Sequence, residues 1–296
     1  MKNKNVSRVE LTLNLQHNIV GVKFLDFEQD YLQTKVALPE KKGPFCYHVR
    51  NAMDGFHYKL KECHVTCDYA RYAIGLSKAD DTILQGRSYE YSGLYESKSI
   101  SRNIMDAMKY LTHTVYGLEI GPLKEMEDAD IVIIADYAET VMRIMQGYAY
   151  KYGAPQNLSF YGNQAMCSDM ISKPFSSNDI NLSLMCKGTR KSGRFDKGEI
   201  SVAFPIHMFD SIVEGIISTV NPVHTPEDKR RIFEYMTDEN NLGIEINPSY
   251  NYGIGYIKYV EQTDKQYTYQ NAIAFSQKCK KEYNVSVYNV YYREKF

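Results

Sequence analysis

Six cysteines, at positions 46, 63, 67, 167, 186 and 279, are the residues of this chain best equipped for chemistry. A thiolate is a nucleophile, a redox group and a ligand for soft metals, so the local setting of each sulfur decides what it can do. Cys63 and Cys67 lie in "KLKECHVTCDYARYAIGL", a spacing that would put both on one face of a continuous helix, but the strand-like residues before them argue against such a helix. The paired Cys-x-x-Cys motifs of zinc ribbons are absent, and so is the clustered cysteine run of bacterial ferredoxins.

Local context sorts the six. Cys46 follows Gly43-Pro44 at the mouth of the helical pattern "CYHVRNAMDGF", and Cys67 opens "CDYARYAIGL". Cys167 follows a glycine-containing turn in "GNQAMCSDM", and Cys186 ends the apolar run "INLSLMC" just before Lys187-Gly188. At element ends like these, helix N-terminal N–H groups and nearby Lys or Arg would lower a thiol's pKa and favour thiolate. Cys63 and Cys279 fall inside strand or helix patterns, where a cysteine acts as a small buried hydrophobe. Cys46, Cys67, Cys167 and Cys186 are therefore the expected site residues.

The elements that must position them can be read from periodicity. Residues 6–16 alternate weakly and fit a starting helix or a strand, the helix being favoured, and "NIVGVKFLDF" is a strand with Lys23 in its interior. A helix stopping at Gly55, a strand "HYKLKE" and a short helix burying Ala70, Ala73 and Ile74 follow. "SKSISRNIMDAMKYLT" has helical spacing at Ile104, Met105, Met108 and Leu111, and "VYGLEIGPL" is a strand closed by Gly121-Pro122. The clearest unit runs from a buried strand, Ile131 to Ala135, through Asp136 into a helix carrying Val141, Ile144, Met145 and Tyr148 and ending at Gly153. Strand, acidic turn and helix predict an α/β (or α+β) fold, a mixed sheet with flanking helices and some parallel pairing. "LSFYGNQAMC", "INLSLMCKGTR" and "EISVAFP" read as further strands, "IHMFDSIVEGIIST" and "TPEDKRRIFEYM" as helices. The domain boundary is expected near residue 220, with 221–296 a Tyr-rich C-terminal extension that would serve as a sub-domain or an oligomerisation arm.

Composition limits the function classes. The 296 residues carry 35 basic and 36 acidic side chains, a formal net charge of -1, which gives no electrostatic reason to bind nucleic acid or an anionic membrane. The basic piece "KGTRKSGR" from Lys187 reads as a solvated turn. The N-terminus lacks the apolar segment of a secretory signal, and the longest apolar runs are too short to span a bilayer. A cytoplasmic protein with reduced thiols is the expectation. The 26 tyrosines bunch toward the C-terminal end, where they suit amphipathic strand surface or a platform for stacking a planar ligand.

The motifs "VGVKFLDF", "PFCYHVRNAMDG", "CDYARYAIGL", "DIVIIADYAETVMRIMQGYAYKYG", "GNQAMCSDMISKP" and "NLSLMCKGTRKSGRFDKGEISVAFPIHMFDSIVEGI", in that order, resemble the domain-of-unknown-function 169 family over roughly residues 18–217. The resemblance implies a lysine in the first strand, here Lys23, and cysteines at Cys46, Cys67, Cys167 and Cys186. It also implies a pattern matched by Asn181, Ser183, Cys186, Gly188 and Arg190. The chain departs from the family after the second cysteine, where Asp68-Tyr69-Ala70 replaces a Cys-Pro-Gly type of turn. No activity comes with the resemblance.

Four thiolates converging from distant segments would hold a [4Fe-4S] iron–sulfur cluster or a zinc ion, the cluster implying redox or electron-transfer work with a redox partner. If only three bound, an open iron could act as a Lewis acid on a small anionic substrate whose carboxylate or phosphate Lys23 and Arg190 would hold. The competing reading is a metal-free cysteine enzyme or small-molecule binder with Cys186 or Cys46 as nucleophile and His48 or His64 as the nearest base. A third is a structural or partner-binding protein. Hydrolase, NTPase and dinucleotide motifs are missing.

Overall fold

The computed structural model describes residues 2–218 except 88–90 and 92. The Tyr-rich extension, the "TPEDKRRIFEYM" helix and Cys279 lie outside the described residues. The described residues divide into two compact units, one of Gln16–Val141 with Pro155–Phe209, the other of residues 2–15, 142–154 and 210–218.

The larger unit is built on six strands: β1 (Val20–Leu25), β2 (Tyr58–Leu60), β3 (Gly117–Pro122), β4 (Ile131–Tyr137), β5 (Asn181–Ser183) and β6 (Glu199–Pro205), in the order β2-β3-β1-β4-β6-β5. Every ladder is antiparallel: β1 with β3 and β4, β2 with β3, and β4 with β6, which in turn pairs β5. Among the described residues the expected parallel pairing is therefore corrected, and only isolated bridges, Ala37 to Tyr58 and Gly43 to Val65, run parallel. β4 does not stop at Ala135. It continues through Asp136 and Tyr137 straight into a helix, and Asp136 pairs with Ile200 instead of turning the chain.

Period-2 alternation divides the sheet into two faces. Val20, Val22 and Phe24 of β1, Leu118 and Ile120 of β3, Ile131 and Ile133 of β4, and Ala203 of β6 share one core with Phe45, Val49 and Ala52 of the helix Phe45–Met53. Cys46 and Cys167 are buried in that same core, and Cys67 packs against it. Lys23 alternates to the opposite face of β1, away from the cysteine layer.

The helices are α1 (Lys2–Leu13), α2 (Glu28–Gln33), α3 (Phe45–Met53), α4 (Asp68–Ala73), α5 (Asp81–Leu84), α6 (Lys98–Ala107), α7 (Ala138–Tyr152), α8 (Lys173–Ser177), α9 (Lys187–Gly193) and α10 (Phe209–Ser218). Among the described residues the helices expected from periodicity form, with shifted bounds: the first starts at Lys2 and ends at Leu13, and α6 ends at Ala107, before Met108 and Leu111. Ser97 caps α6 by accepting from the N–H of Ile100 at 3.3 Å. Gly55, Gly75 and Gly153 end their helices with φ of 101°, 76° and 76°, values that disfavour side chains. The segment "LSFYGNQAMC" is no strand: residues 158–165 are irregular and a helical stretch starts at Met166.

In the smaller unit, Arg8 of α1 pairs with Glu214 of α10 at 2.8 Å, and Asn5 donates to Asp210 at 2.7 Å. Residues 142–152 of α7 meet α10 through small residues. A Cβ on Gly215 would lie 1.9 Å from the Gly147 carbonyl, so the two backbones touch there.

Candidate functional site

Four segments far apart in sequence bring Cys46, Cys67, Cys167 and Cys186 together, each at the start of a helix. Cys46 is the second residue of α3, behind the N-cap Pro44, and Cys67 is the N-cap of α4. Cys167 immediately precedes a π-helical turn, Ser168–Ser172, that runs on into α8. Cys186 is the N-cap of α9, its sulfur accepting from the N–H of Thr189 at 3.3 Å. The charge on any one of these four sulfurs would be felt by the other three.

A closed ring of hydrogen bonds and close packing sets their positions. The lead-in segments of Cys46 and Cys67 are stitched at Gly43, whose N–H donates to His64 O at 3.1 Å and whose carbonyl accepts from Thr66 N at 2.9 Å. Only glycine fits at 43, because a Cβ would fall 2.4 Å from the Tyr47 ring. His48 reinforces this joint: its Nε2 lies 3.1 Å from His64 O and its Nδ1 3.0 Å from Tyr58 Oη. Since a carbonyl only accepts, Nε2 carries the proton and Nδ1 accepts from the tyrosine. Burial pushes the His48 pKa down to about 4, which keeps the ring neutral in this role.

The Cys67 helix is joined to the Cys167 helix by Ser172, whose hydroxyl donates to Ala73 O at 2.5 Å. The Cys167 and Cys186 segments are joined twice. Gln164 accepts at its carbonyl from Cys186 N (2.7 Å) and at its side chain from Leu184 N (3.1 Å). Asp169 accepts from Ser183 Oγ at 2.8 Å, and Ser183 Oγ accepts from Met185 N at 3.2 Å. That relay holds Met185 at φ 62°, a left-handed conformation costing a non-glycine residue about 1–2 kcal/mol. Strain of this kind and π-turns both gather where backbone must be aimed at a site, and here they flank Cys186 and Cys167. The ring closes between Cys186 and Cys46. A Cβ on Gly193 would meet the Phe195 ring at 2.4 Å and the Cys46 carbonyl at 3.0 Å, so α9 rests directly on α3. The Thr189 hydroxyl sits 3.3 Å from Cys186 Sγ and hydrogen-bonds the Cys46 thiol.

The electrostatics correct one sequence expectation. Helix starts were expected to depress the thiol pKa values, but burial pushes Cys46 up to about 11, raises Cys67 and raises Cys167 strongly, and the neighbouring sulfurs add to each rise. Hydrogen bonding from Thr189 at Cys46, and from the N–H groups of Tyr69 and Ala70 at Cys67, offsets only part of this. Desolvation outweighs the helix termini because these sulfurs sit in the core: Cys46 and Cys167 are each 8% exposed. Without a bound cation, these three thiols hold their protons at neutral pH.

Asp169, also fully buried, is pushed up to about 7 by desolvation. Its part in the site was not foreseen, and the one sequence hint is an acid two residues past a cysteine in an otherwise apolar stretch. Cys63 is corrected as well. It lies exposed in a short 3-10 turn, Glu62–His64, where it is not a core residue.

Of the two cationic residues expected to hold a substrate, Lys23 lies 3.6 Å from Asp128 at the surface of the opposite sheet face. Arg190 belongs to the site's scaffold. Its guanidinium donates to the carbonyls of Leu184 (2.7 Å), Glu199 (3.0 Å) and Asp196, binding the turn before Cys186 to β6. The structure thus brings the four cysteines together but not the two cations with them. Among the described residues, no three His, Cys, Asp or Glu side chains stand close enough to share one metal ion, and no helix is long and apolar enough to cross a membrane.

The family model described as uncharacterised ArCR, the domain-of-unknown-function 169 family, matches residues 8–215. The chain belongs to that family. All four gathered cysteines and every residue of the ring lie inside the match. A second family model, described as lysozyme-like, matches residues 233–295, outside the described residues. An uncharacterized protein of Methanocaldococcus jannaschii is 25% identical over 220 residues, covering 72% of this chain and 92% of that protein. No solved structure matches the chain significantly.

Proposed function

We propose that Cys46, Cys67, Cys167 and Cys186 hold a [4Fe-4S] cluster and that the protein is a one-electron redox protein. The observation that carries this reading is the mutual reach of the sulfurs: brought in by four cross-tied segments, each of the four lies where charge on it is felt by the other three. A donor set of thiolates alone suits an iron–sulfur cluster, with zinc as the other centre it would take.

The donor chemistry fits as well. Buried thiols that repel one another as anions would release their protons to solvent once a metal centre held between them supplied the compensating positive charge. Such a cluster, when bound, takes up and gives out single electrons. The chain's part is to fix the ligands, exclude water and tune the potential. N–H and O–H donors aimed at sulfur, from Thr189 at Cys186 and Cys46 and from Tyr69 and Ala70 at Cys67, favour the reduced state by drawing charge from the sulfurs.

The metal-free thiol enzyme is less well supported. Burial keeps three of the four thiols protonated, and both ring nitrogens of His48 are engaged by Tyr58 and His64. His64 Nδ1 accepts from Lys61 N at 3.0 Å.

Anaerobic reconstitution of cysteine variants tests the ligand set. Replacing any one of Cys46, Cys67, Cys167 or Cys186 by Ala should abolish or strongly reduce the absorbance near about 400 nm expected of thiolate-bound iron. The exposed Cys63→Ala should leave it intact. Equal absorbance in all five variants would overturn the assignment.

A further inference from the structure

The larger unit carries a cavity of about 600 Å³ whose wall includes Arg50, Asp136, Tyr137, Arg194, Asp196 and Glu199. That volume falls in the range of small-molecule sites, about 300–1,000 Å³. The end of β4 supplies Asp136 and Tyr137, the start of β6 supplies Glu199, and α3 supplies Arg50. Arg194 ends α9 at φ 56°, and this left-handed turn carries the chain on to Phe195 and Asp196. A wall so rich in charge calls for a polar occupant.

The charges in that wall do not cancel. Arg50 pairs with Glu199 at 3.1 Å and with Asp54 at 3.4 Å, and its guanidinium lies 5.4 Å from the centre of the Phe195 ring. Arg194 pairs with Asp54 at 3.2 Å, and His17 lies 3.6 Å from the same carboxylate. The two guanidiniums are thus matched by Asp54 and Glu199, and an anionic ligand would find neither of them free. Asp136 and Asp196 are left over: among the described residues neither forms an ion pair, and the exposed Lys197 beside Asp196 makes none either. Asp136 is 5% exposed, and its carboxylate accepts one hydrogen bond, from Tyr137 N at 2.7 Å. Asp196 is exposed and accepts at its side chain from Gly198 N at 2.9 Å. A buried carboxylate without a cation is costly, and the start of α7 just after Asp136 offsets only part of that cost. Tyr137, 50% exposed, adds an aromatic face that attracts cations.

We propose that this cavity binds a linear diamine or polyamine, with one ammonium held by the buried Asp136 and another by the exposed Asp196. Two carboxylates at different depths suit two separated ammonium groups joined by a chain. A single metal ion is a poorer match, since among the described residues no three His, Cys, Asp or Glu side chains could hold one. The binding requires no cluster at the cysteines.

The test titrates putrescine and spermidine into the full chain by calorimetry at low salt, with 1,4-butanediol as a neutral control and succinate as an anionic one. At least one of the amines should bind at one per chain, and neither control should bind. Asp136→Asn should weaken amine binding by about tenfold or more and Asp196→Asn by several-fold, because each removes a charge-assisted contact. Asp128→Asn, beside Lys23 on the opposite sheet face, should leave the affinity unchanged. Thermal melts of the variants check the fold, and the exposed position of Asp196 keeps the test open even where Asp136→Asn disturbs folding. Binding of neither amine, affinity undiminished in both Asp136→Asn and Asp196→Asn, equal weakening by Asp128→Asn, or succinate binding as tightly as putrescine overturns the proposal.

Discussion

Thr189→Val is the most informative single change at the site. The Thr189 hydroxyl lies 3.3 Å from Cys186 Sγ and hydrogen-bonds the Cys46 thiol, and the side chain is 4% exposed. Valine keeps the β-branched shape, and the backbone N–H of residue 189 still donates to Cys186 Sγ. The substitution therefore removes one O–H donor and little else. A hydrogen bond to a charged group is worth roughly 1.5–3 kcal/mol in all. Only the difference between its strength in the reduced and oxidised states moves a potential, and we take that as about 1 kcal/mol. For a one-electron couple, tenfold in equilibrium corresponds to about 59 mV, so about 1 kcal/mol is about 40 mV. If the four cysteines hold the proposed cluster, its reduced, more negative state would lose more from the missing donor, so the potential should fall by about that amount. Protein-film voltammetry or a dye-mediated redox titration with optical detection would read it, alongside iron and sulfide contents matching the parent. A potential unmoved within about 10 mV, or shifted upward, would refute the placement of Thr189 between the two sulfurs.

Three further changes test the framework. Gly193→Ala forces a methyl against the Phe195 ring and the Cys46 carbonyl, and should cost about 1–3 kcal/mol in urea melts by lifting α9 from α3. Arg190→Ala should lower stability by about 2–3 kcal/mol because three carbonyls lose their donor. Arg190→Lys should recover little of this, since one ammonium cannot span the fork; a melt unchanged in both variants would return Arg190 to the pool of free surface charges. Asp169 has its folded-state pKa raised to about 7 by burial, so the stability it contributes is present below about pH 4 and lost as pH rises through about 7. In the metal-free protein, Asp169→Asn should therefore gain on the parent between pH 5 and pH 8, by about 2–3 kcal/mol. Parallel stability curves would show that Asp169 does not titrate in that range.

How far the sequence alone reaches can be judged residue by residue. The placement of Cys46, Cys67, Cys167 and Cys186 at the starts of helices was legible from local features, a Gly-Pro, an acidic first turn or a closing apolar run. Helices with strong periodicity, such as α6 and α7, were legible for the same reason. Strand pairing was not. The β4–α7 unit looks like half of a parallel crossover, but β4 pairs β1 and β6 antiparallel, and such partners are chosen by contacts distant in sequence. The sign of the thiol pKa shifts was also out of reach, because helix termini act locally whereas burial depends on the finished core. Arg190 misled because a cation in a glycine-rich turn gives no sign that three carbonyls will surround it. The left-handed Met185 and the π-turn after Cys167 carry no residue signature at all.

The central claim is decided most directly by composition: iron, acid-labile sulfide and zinc per chain in protein purified without oxygen. The account predicts about four irons and about four sulfides and no stoichiometric zinc, the inventory of one [4Fe-4S] cluster. One zinc per chain with no sulfide, or a chain free of both metals that stays so after reconstitution, would contradict it.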